Sequence, residues 1–311
     1  MLAAILGVRQ RQVATCRWEN GQADSDAFCR SWTKQQEIEM KIELVQVRGR
    51  DGDTAYNLSR ALQAIDDSAE GTDLLVFSET HLMGFPTALN IAELAEPIDG
   101  PTIRAVQQAV RERNISVAIG MAENDAGVFY NTTLLITPAG IALRYRKTHL
   151  WSSDRGIFTP GDRYVTVPWQ GIRVGILICF DIEFPESARA LAQLGADLII
   201  VTNGNMDPYG PTHRTAIMAR AMENQAFAVM VNRVGSGDGD LVFAGGSSAV
   251  DPFGQLLCEA GREECRQIVE LDLDQRQAAC SDYRYLDERR LMLPGERIDY
   301  PDGRRELLIP R

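Results

Sequence analysis

The chain has 311 residues, of which 45% are hydrophobic and 24% are charged, an ordinary composition for a soluble globular protein. Its formal net charge of -11 argues against a nucleic-acid partner and against binding to an anionic membrane surface. No uninterrupted apolar stretch is long enough to cross a bilayer, so we predict no transmembrane helix and no membrane partner.

The first 39 residues differ in pattern from the rest of the chain. Met1 to Gly7 is apolar but short, and Arg9 and Arg11 follow it, which reverses the order of a secretory signal. Residues 1–39 carry five basic and five acidic residues, so the net charge of -11 belongs entirely to the body. We expect residues 1–39 to be an N-terminal extension outside the core, with Met40 as the natural start.

From Met40 onward, strand and helix patterns alternate. Strands are predicted where short apolar or alternating runs occur, at 41–47, 73–78, 115–122, 128–136, 141–146, 173–178, 198–202, 226–231, 246–250 and 267–271. Helices are predicted where apolar residues recur every three or four positions, at 54–69, 101–113, 185–194 and 212–224. This mixture favours one domain, over residues 40–280, in which helices pack outside mixed sheets.

The run from Ile172 to Ile178 organises the predicted fold. It has the β-branched, apolar character of a strand buried on both faces, and it ends abruptly at Cys179. Pro185 suits the first turn of a helix, because the amide it lacks would have no partner there. Cys179 thus lies where a strand gives way to a helix, which is where α/β folds place ligands. An inert core cysteine is the alternative interpretation.

Two further reactive side chains follow predicted strands. Glu79 closes the strand at 73–78, and Lys147 follows the strand at 141–146. Either one alone is more typical of a solvated strand end. Together with Cys179 they form a chemical set: a carboxylate that accepts a proton, an ammonium that stabilises negative charge, and a thiol nucleophile.

The cysteines and histidines show no metal-ligand spacing. The six cysteines are spread out without a CxxC pair, and the three histidines form no HExxH motif. We therefore predict no metal site. Because no secretory signal is visible, free thiols and a cytoplasmic location are expected.

Six short segments follow one another in an order that resembles the nitrilase superfamily of carbon–nitrogen hydrolases. They are Phe-Ser-Glu-Thr, Tyr-Asn, Arg-Lys-Thr-His-Leu, Phe-Thr-Pro-Gly-Asp, Ile-Cys-Phe-Asp-Ile-Glu-Phe-Pro-Glu and Ala-Arg-Ala-Met-Glu-Asn, at 77–80, 130–131, 146–150, 158–162, 178–186 and 219–224. The resemblance covers about residues 40–271. One segment alone would be weak evidence, whereas the ordered set is highly specific.

The resemblance implies an α/β (α+β) fold, a four-layer α-β-β-α sandwich with a Glu-Lys-Cys triad at one end of two sheets. Carried over by position, Glu79 is the general base, Lys147 the cationic stabiliser and Cys179 the nucleophile. The family often has a second glutamate before its Phe-x-Pro-Gly segment. Asp154 occupies that position here, and its shorter side chain reduces its reach toward Lys147 or the substrate.

These groups imply amide hydrolysis through a thioester. Glu79 would accept the Cys179 proton as sulfur attacks the carbonyl carbon, because a free thiol with a pKa of about 8.5 needs help near neutral pH. The oxyanion would lie between the Lys147 ammonium and the backbone N–H of Phe180. Water activated by Glu79 would then hydrolyse the thioester. No metal and no organic cofactor is expected.

The substrate is expected to be a small linear amide, because the segments around Cys179 and at 246–248 and 260–265 look most like the aliphatic amidase branch. The resemblance extends to bacterial enzymes that act on amides such as 5-aminopentanamide. An ω-amino substrate would need an anionic or carbonyl-lined end to its pocket. Asp207 is a candidate, because the family places its loop, which includes Asn205, beside the cysteine. Trp151 and Phe180 are candidates for the pocket wall. The alternatives are a solvated turn for Asp207 and plain packing for the aromatics.

Other functions remain open at this stage. A nitrilase or an N-carbamoyl amine hydrolase would share the triad, and a catalytically idle member could serve as a binding subunit. The resemblance also implies a homodimer or a higher homo-oligomer. We treat residues 281–311 as a C-terminal tail and as a candidate oligomer contact.

Overall fold

The computed structural model describes residues 39–237 and 239–310. All of the predicted N-terminal extension except Glu39 therefore lies outside the described residues. Within the described part of the chain, no helix is both long enough and apolar enough to cross a membrane.

Sixteen strands occur in the described residues. In chain order they are β1 (Glu39–Gln46), β2 (Leu74–Val76), β3 (Ser116–Asp125), β4 (Val128–Thr137), β5 (Gly140–Arg146), β6 (Arg163–Trp169), β7 (Ile172–Ile178), β8 (Leu198–Thr202), β9 (Phe227–Val231), β10 (Val234–Ser236), β11 (Val242–Ala244), β12 (Ser248–Val250), β13 (Leu256–Glu259), β14 (Cys265–Asp272), β15 (Glu296–Asp299) and β16 (Arg305–Leu308).

The same part of the chain contains six α-helices and one 3-10 helix. The α-helices are α1 (Thr54–Asp66), α2 (Ile91–Leu94), α3 (Pro101–Arg113), α4 (Pro185–Gln193), α5 (Gly210–Asn224) and α6 (Asp274–Ala279). The 3-10 helix is Cys179–Glu183, and it begins at the cysteine that follows β7. Pro101 and Pro185 stand at the starts of α3 and α4, where a missing N–H costs no hydrogen bond.

The strands form two large sheets and one two-stranded ribbon. The six-stranded sheet has the order β14-β1-β2-β3-β4-β5, and the eight-stranded sheet has the order β13-β12-β9-β8-β7-β6-β16-β15. The centre of each sheet is parallel: β1 pairs with β2 and β2 with β3, while β7 pairs with β8 and β8 with β9. The ribbon joins β10 to β11.

Alternation along the strands divides the core into two layers of contacts. In β1 and β2, Leu44 and Val76 pack toward the other sheet, whereas their neighbours Val45 and Leu75 join the cluster that contains α1 and α3. On the second sheet, α4 packs so closely against β7 that a Cβ on Gly175 would lie 2.8 Å from the side chain of Leu191. The result is the predicted four-layer α-β-β-α sandwich.

The structure adds elements that the sequence pattern did not predict. β6 precedes the strand that ends at Cys179 and pairs with it, and β16 pairs with β6 in antiparallel register. The segment treated as a tail, 281–311, therefore contributes an internal strand of the eight-stranded sheet. Its assignment as an oligomer contact stays a prediction.

Candidate active site

Glu79 is placed by a close crossing of two backbones. It follows β2 by a few residues, and its N–H donates to the carbonyl of Asn203 at 3.2 Å. A Cβ on Gly120 would lie 2.4 Å from the backbone nitrogen of Thr80 and 2.8 Å from the carbonyl oxygen of Ser78. Only glycine lets the segment that carries Glu79 pass this near to β3.

Lys147 is held by backbone hydrogen bonds on both sides. Its N–H donates to the carbonyl of Asn131 at 2.9 Å, and its carbonyl accepts from the N–H of Gly161 at 2.7 Å. A Cβ on Gly161 would lie 2.2 Å from the carbonyl oxygen of Arg146. The glycine of the Phe-x-Pro-Gly segment is thus needed for the contact that fixes the lysine.

Cys179 occupies a strained turn between β7 and the 3-10 helix. Its φ of 45° lies in the left-handed region, which is uncommon for a residue other than glycine. Strain of this kind persists only where the surrounding structure imposes it, and it concentrates at functional sites. The turn takes the thiol out of the sheet while keeping it buried.

One buried network joins the carboxylates to the lysine. Lys147 Nζ donates to Glu79 Oε1 at 2.7 Å and to Asp154 Oδ2 at 2.6 Å. Asn131 Nδ2 donates to the same Glu79 oxygen at 2.7 Å, and the N–H of Trp151 donates to Asp154 Oδ2 at 3.1 Å. The shorter side chain of Asp154 therefore does reach Lys147.

Burial and the neighbouring charges shift the pKa values of the network. Burial acts to lower the pKa of Lys147, but the negative charges of Glu79 and Asp154 raise it well above its ordinary value. Burial raises the pKa of Glu79, and Lys147 opposes this only in part. Lys147 thus stays protonated, while Glu79 becomes a stronger base than an exposed carboxylate.

The thiol of Cys179 is not a standing thiolate. Burial raises its pKa well above the usual value, and the Glu79 carboxylate raises it further. The charge of Lys147 and a hydrogen bond from the backbone N–H of Gly204 act in the opposite direction. The resting nucleophile is therefore a thiol with a base close by, which favours proton transfer during attack.

The absence of a side chain at Gly204 leaves room for the Glu79 carboxylate beside the Cys179 thiol. A Cβ at this position would lie 2.3 Å from Cζ of Phe85 and 2.6 Å from Glu79 Oε2. Any larger residue would push into the carboxylate that must face the cysteine. Sequence reasoning did not single out Gly204, although it lies two residues after the buried strand β8.

Asp181 is a functional residue that the sequence analysis quoted only as part of a motif. It is fully buried, and it accepts hydrogen bonds from Tyr145 Oη at 2.8 Å, Thr148 Oγ1 at 2.8 Å, the N–H of His149 at 2.9 Å and the N–H of Ile178 at 3.0 Å. One carboxylate thus ties the segment of Lys147 to the turn of Cys179. The signal was available: an acidic residue two positions after the cysteine, inside an apolar run.

The catalytic groups open onto a cavity of about 240 Å³. This volume is below the usual range for drug-sized ligands, about 300–1,000 Å³, so the cavity suits a small molecule. Its charged and polar lining side chains are Asp51, Glu79, Thr87, Lys147, Ser153, Asp154, Cys179, Glu183, Asn205 and His213. The apolar and aromatic lining includes Phe85, Trp151, Ile157, Phe158, Phe180, Met206, Tyr209, Leu241 and Phe243.

The structure brings together seven of the eight predicted site residues. Trp151, Phe180 and Asn205 line the cavity with the triad and Asp154. Asp207 does not belong to this lining, because its carboxylate turns to the guanidinium of Arg262 and forms an exposed ion pair with it. The expectation that Asp207 closes the substrate pocket is corrected accordingly.

Other lining residues were missed by sequence reasoning. Asp51, Glu183 and His213 line the cavity but were not proposed as site residues. Across residues 39–237 and 239–310, no three His, Cys, Asp or Glu side chains are grouped as metal ligands would be.

Comparison with known proteins agrees with this geometry. Residues 41–280 match the Carbon-nitrogen hydrolase family model. An (R)-stereoselective amidase of a Pseudomonas species is 67% identical over 270 residues, which are 87% of this chain and 98% of that protein.

Two solved structures share the fold. An amidase from a Nesterenkonia species has a TM-score of 0.71 at 28% identity, covering 81% of this chain and 93% of its own. A CN-hydrolase superfamily protein from Xanthomonas campestris has a TM-score of 0.74 at 25% identity, covering 82% and 99%. With this family match and an amidase relative of such high identity, the chain is a hydrolase of non-peptide carbon–nitrogen bonds and belongs to the carbon-nitrogen hydrolase family of the nitrilase superfamily.

Proposed function

We propose that the protein hydrolyses a small carboxamide to the carboxylate and ammonia through a thioester on Cys179. The observation that carries this proposal is the buried contact of Lys147 with both Glu79 and Asp154 in the cavity that Cys179 lines. A protonated amine beside a carboxylate and a thiol supplies the three functions that acyl transfer requires.

The first half-reaction forms the thioester. As Cys179 Sγ attacks the carbonyl carbon, Glu79 takes the thiol proton. The tetrahedral oxyanion lies between the Lys147 ammonium and the backbone N–H of Phe180, which is in the first turn of the 3-10 helix and so has no partner in a preceding turn. Glu79 then gives its proton to the leaving nitrogen, the C–N bond breaks, and ammonia departs.

The second half-reaction regenerates the enzyme. Glu79 takes a proton from water as the water oxygen attacks the thioester carbonyl, and the same two donors stabilise the oxyanion. The C–S bond breaks, Cys179 recovers its proton, and the carboxylic acid is released. Asp154 keeps Lys147 charged and oriented throughout, through its 2.6 Å contact with the ammonium.

Solved relatives support a covalent route. One structure of the Nesterenkonia amidase shows covalent addition of the acetamide moiety of fluoroacetamide at its active-site cysteine, and another contains butyramide. Because the relative with 67% identity is an (R)-stereoselective amidase, we extend the proposal to preference for one enantiomer of an amide that is chiral beside its carbonyl.

Ammonia release tests the proposal against the alternatives that share the triad. Short amides, nitriles and N-carbamoyl amines are compared with the wild type and with Cys179→Ala, Glu79→Gln and Lys147→Ala. We expect amides to be the best class, and Cys179→Ala to lower kcat by a factor on the order of 10⁴ or more. Comparable turnover by the wild type and Cys179→Ala would remove the mechanism.

Mass spectrometry separates an amidase from an idle binding subunit. Rapid mixing with a short amide should add one acyl mass to the wild-type chain and none to Cys179→Ala. A folded wild type that forms no adduct with any amide, and releases no ammonia, would favour the binding subunit.

We also propose that the chain forms a homodimer or a larger homo-oligomer. Leu291 and Met292, in the segment treated as a tail, are 87% and 69% exposed, and this adjacent apolar pair is the candidate contact for a second subunit. Light scattering of the wild type and of Leu291→Glu combined with Met292→Glu would test this. A monomeric wild type would refute the proposal.

A further inference from the structure

Two aromatic rings that stack on each other form one wall of the cavity. Phe85 and Phe243 both line the cavity, and their ring centroids are 5.6 Å apart with the ring planes inclined by 17°. Phe85 lies in the loop that follows Glu79, and Phe243 lies in strand β11 of the two-stranded ribbon. We call these two rings the stacked pair. Neither ring has a part in the mechanism above.

The tip of the Phe85 ring reaches the reacting groups. A Cβ on Gly204 would lie 2.3 Å from Cζ of Phe85 and 2.6 Å from Glu79 Oε2. The backbone N–H of Gly204 donates to the sulfur of Cys179. The ring tip, the base and the nucleophile therefore surround one glycine. We expect the α-carbon of an acyl group on Cys179 to lie beside the Phe85 ring.

A buried ion pair holds Phe85 in place. The N–H of Phe85 donates to Asp51 Oδ1 at 2.9 Å, and Arg233 pairs with the same carboxylate. The side chains of Arg233 and Asp51 are only 4% and 12% exposed. A Cβ on Gly84 would lie 2.6 Å from Cα of Asp51, so only glycine lets the chain pass this carboxylate directly before Phe85.

The same arginine also contacts Phe243. The guanidinium carbon of Arg233 lies 4.3 Å from the centroid of the Phe243 ring, and its Nη2 donates to the carbonyl of Gly49 at 2.7 Å. A guanidinium over an aromatic face is attractive, and the attraction is stronger where water is excluded. Arg233 thus holds one ring directly and the other through Asp51.

A main-chain hydrogen bond ties strand β11 to the segment after Gly204. The N–H of Ala244 donates to the carbonyl of Asn205 at 2.9 Å. Phe243, the residue before Ala244, is 3% exposed. The stacked pair therefore cannot move away from Gly204 without breaking this bond and the contacts of the ion pair.

A second group of aromatic side chains in the cavity is less enclosed. The ring of Trp151 packs edge-on against Phe180 at 5.0 Å and against Tyr209 at 5.4 Å between centroids. Tyr209 is 40% exposed, so this group ends at the protein surface. A substituent of the substrate has room to extend along it, whereas the buried ion pair holds the stacked pair in place. The two aromatic walls thus offer unequal room.

Unequal walls discriminate between enantiomers. The carbonyl group of the substrate is fixed by the attack of Cys179 and by the Lys147 ammonium, so the substituents of a chiral α-carbon face different parts of the cavity. With the longest substituent in the roomier part, one enantiomer places its hydrogen toward the stacked pair and the other places an alkyl group there. A closely packed, fixed wall resists even one additional methyl group.

We propose that Phe85 selects one enantiomer of an α-substituted carboxamide, and that the Asp51–Arg233 pair positions it for this role. This inference rests on the proposed amidase function and on its preference for one enantiomer, and it names the residue that imposes that preference. It also gives the ion pair a function, because a buried ion pair is weak evidence for a contribution to stability.

The test compares the two enantiomers of one small amide. (R)- and (S)-2-methylbutanamide are measured separately, with unbranched butanamide as the reference substrate. The readout is the ratio of kcat/KM for the preferred enantiomer to that for the other. We expect a wild-type ratio of about ten or more, because one methyl group in an apolar pocket typically changes kcat/KM by about 10- to 200-fold.

Phe85→Ala should bring this ratio to within about threefold of one, mainly by raising kcat/KM for the disfavoured enantiomer relative to butanamide. Phe85→Leu keeps an apolar side chain but removes the ring tip. It should lower the ratio in the same direction, and it replaces Phe85→Ala if that variant folds poorly. Phe253→Ala is the matched control, because Phe253 is 47% exposed and outside the lining, and it should leave the ratio unchanged.

A double variant tests the positioning role of the ion pair. Asp51→Asn combined with Arg233→Met removes both charges together, so no unpaired charge is left in the interior. The ratio should fall by about threefold or more, because the two rings can then shift relative to Gly204. A lower unfolding temperature with an unchanged ratio would show that the pair is merely structural.

The possible outcomes separate this inference from the amidase proposal. A wild-type ratio near one, a ratio that survives in Phe85→Ala, or an equal fall in Phe253→Ala would each overturn selection by Phe85, while hydrolysis of butanamide would leave the amidase function intact. If the wild type hydrolyses butanamide alone, Phe85→Ala must admit one enantiomer, or the inference fails. If none of the three amides is hydrolysed, the amidase function itself fails.

Discussion

Two clusters in this protein join carboxylates to a cation at ordinary contact distances. One cluster is buried and the other is exposed to solvent. In the cavity, Lys147 meets Glu79 and Asp154, and the three side chains are 2%, 1% and 5% exposed. Outside the cavity, Asp207 meets Arg262 with one contact of 3.1 Å, and their side chains are 46% and 57% exposed. The partners are chemically alike, but only the first cluster is shielded from water.

The surroundings decide what each cluster can do. At the exposed pair, the hydrogen bond from Arg262 simply lowers the pKa of Asp207, as any nearby guanidinium would. At the buried cluster, burial is the largest influence on both Glu79 and Lys147, and it pushes the pKa of Glu79 up while the carboxylates hold the lysine charged. Short ion-pair distances alone therefore do not identify a catalytic site.

The largest expected effect on stability and on kcat comes from removing the cation of the buried cluster. Lys147→Met leaves two carboxylates facing each other in a buried site, and breaking a buried pair in this way typically costs about 3–5 kcal/mol of unfolding free energy. The loss of an oxyanion donor should also lower kcat by a factor on the order of 10² to 10³. Denaturant unfolding and ammonia release would measure the two effects.

Arg262→Met is the matched control for that experiment. It also removes one positive charge, but from the exposed pair, where water replaces the lost contact. Its unfolding midpoint and its kcat should stay within error of the wild type. If the two substitutions had equal effects, the distinction between the clusters would be wrong.

Asp181→Asn tests how the buried cluster is positioned. The four hydrogen bonds that Asp181 accepts include two from main-chain N–H groups, and an amide side chain can accept at only one of its two positions. We expect a lower unfolding temperature together with a fall in kcat of about tenfold to a hundredfold, because Lys147 and Cys179 lose their shared anchor. Asp251→Asn, in a turn outside the cavity, should lower only the unfolding temperature.

The comparison also shows what a sequence can and cannot predict. Glu79, Lys147 and Cys179 were identifiable, because each follows a predicted strand and each lies in one of the ordered segments that resemble the nitrilase superfamily. The pairing of Asp207 was not, because Arg262 comes from a segment 55 positions later and no local pattern links the two. A charged side chain in a loop takes its function from partners that only the tertiary structure supplies.

The secondary structure, too, was predictable where the signals are local and was missed where it depends on tertiary packing. Helix α3 matches the prediction at both ends, because Pro101 and the periodic apolar residues are local signals. Strand β6 was missed, since Pro168 near its end weakens the strand pattern. Strand β16 has only four residues, and its partner lies about 140 positions earlier, so its place depends on packing rather than on propensity.

Asp154→Asn should change the pH dependence of the buried cluster. Activity requires ionised Glu79, so kcat/KM should fall about tenfold per pH unit below an apparent pKa that lies above the ordinary carboxyl value. The negative charge of Asp154 helps to raise that pKa, so its removal should move the acid limb of the profile to lower pH. Asp207→Asn should leave the limb in place, and a shift toward higher pH in Asp154→Asn would contradict the proposed coupling.

Acid should inactivate the enzyme before it unfolds the protein. A carboxyl whose pKa is raised on folding binds its proton more tightly in the native state, so protonation of Glu79 does not weaken the fold between its raised pKa and its unfolded value of about 4.3. Circular dichroism should therefore stay native where ammonia release has already been lost, and activity should return on neutralisation. Simultaneous loss of signal and activity would mean that the acid limb reports unfolding.

The smallest expected effect is the response of the two clusters to salt concentration. At an ionic strength of 0.1 M the Debye screening length is about 10 Å. Dissolved ions weaken interactions between exposed charges, and they weaken interactions between buried charges much less. Raising sodium chloride should weaken the Asp207–Arg262 pair and leave the contacts of Lys147 unchanged, so kcat for a neutral amide should be constant. A kcat that falls steeply with salt would show that solvent ions reach the lysine and screen the carboxylate charges that raise its pKa.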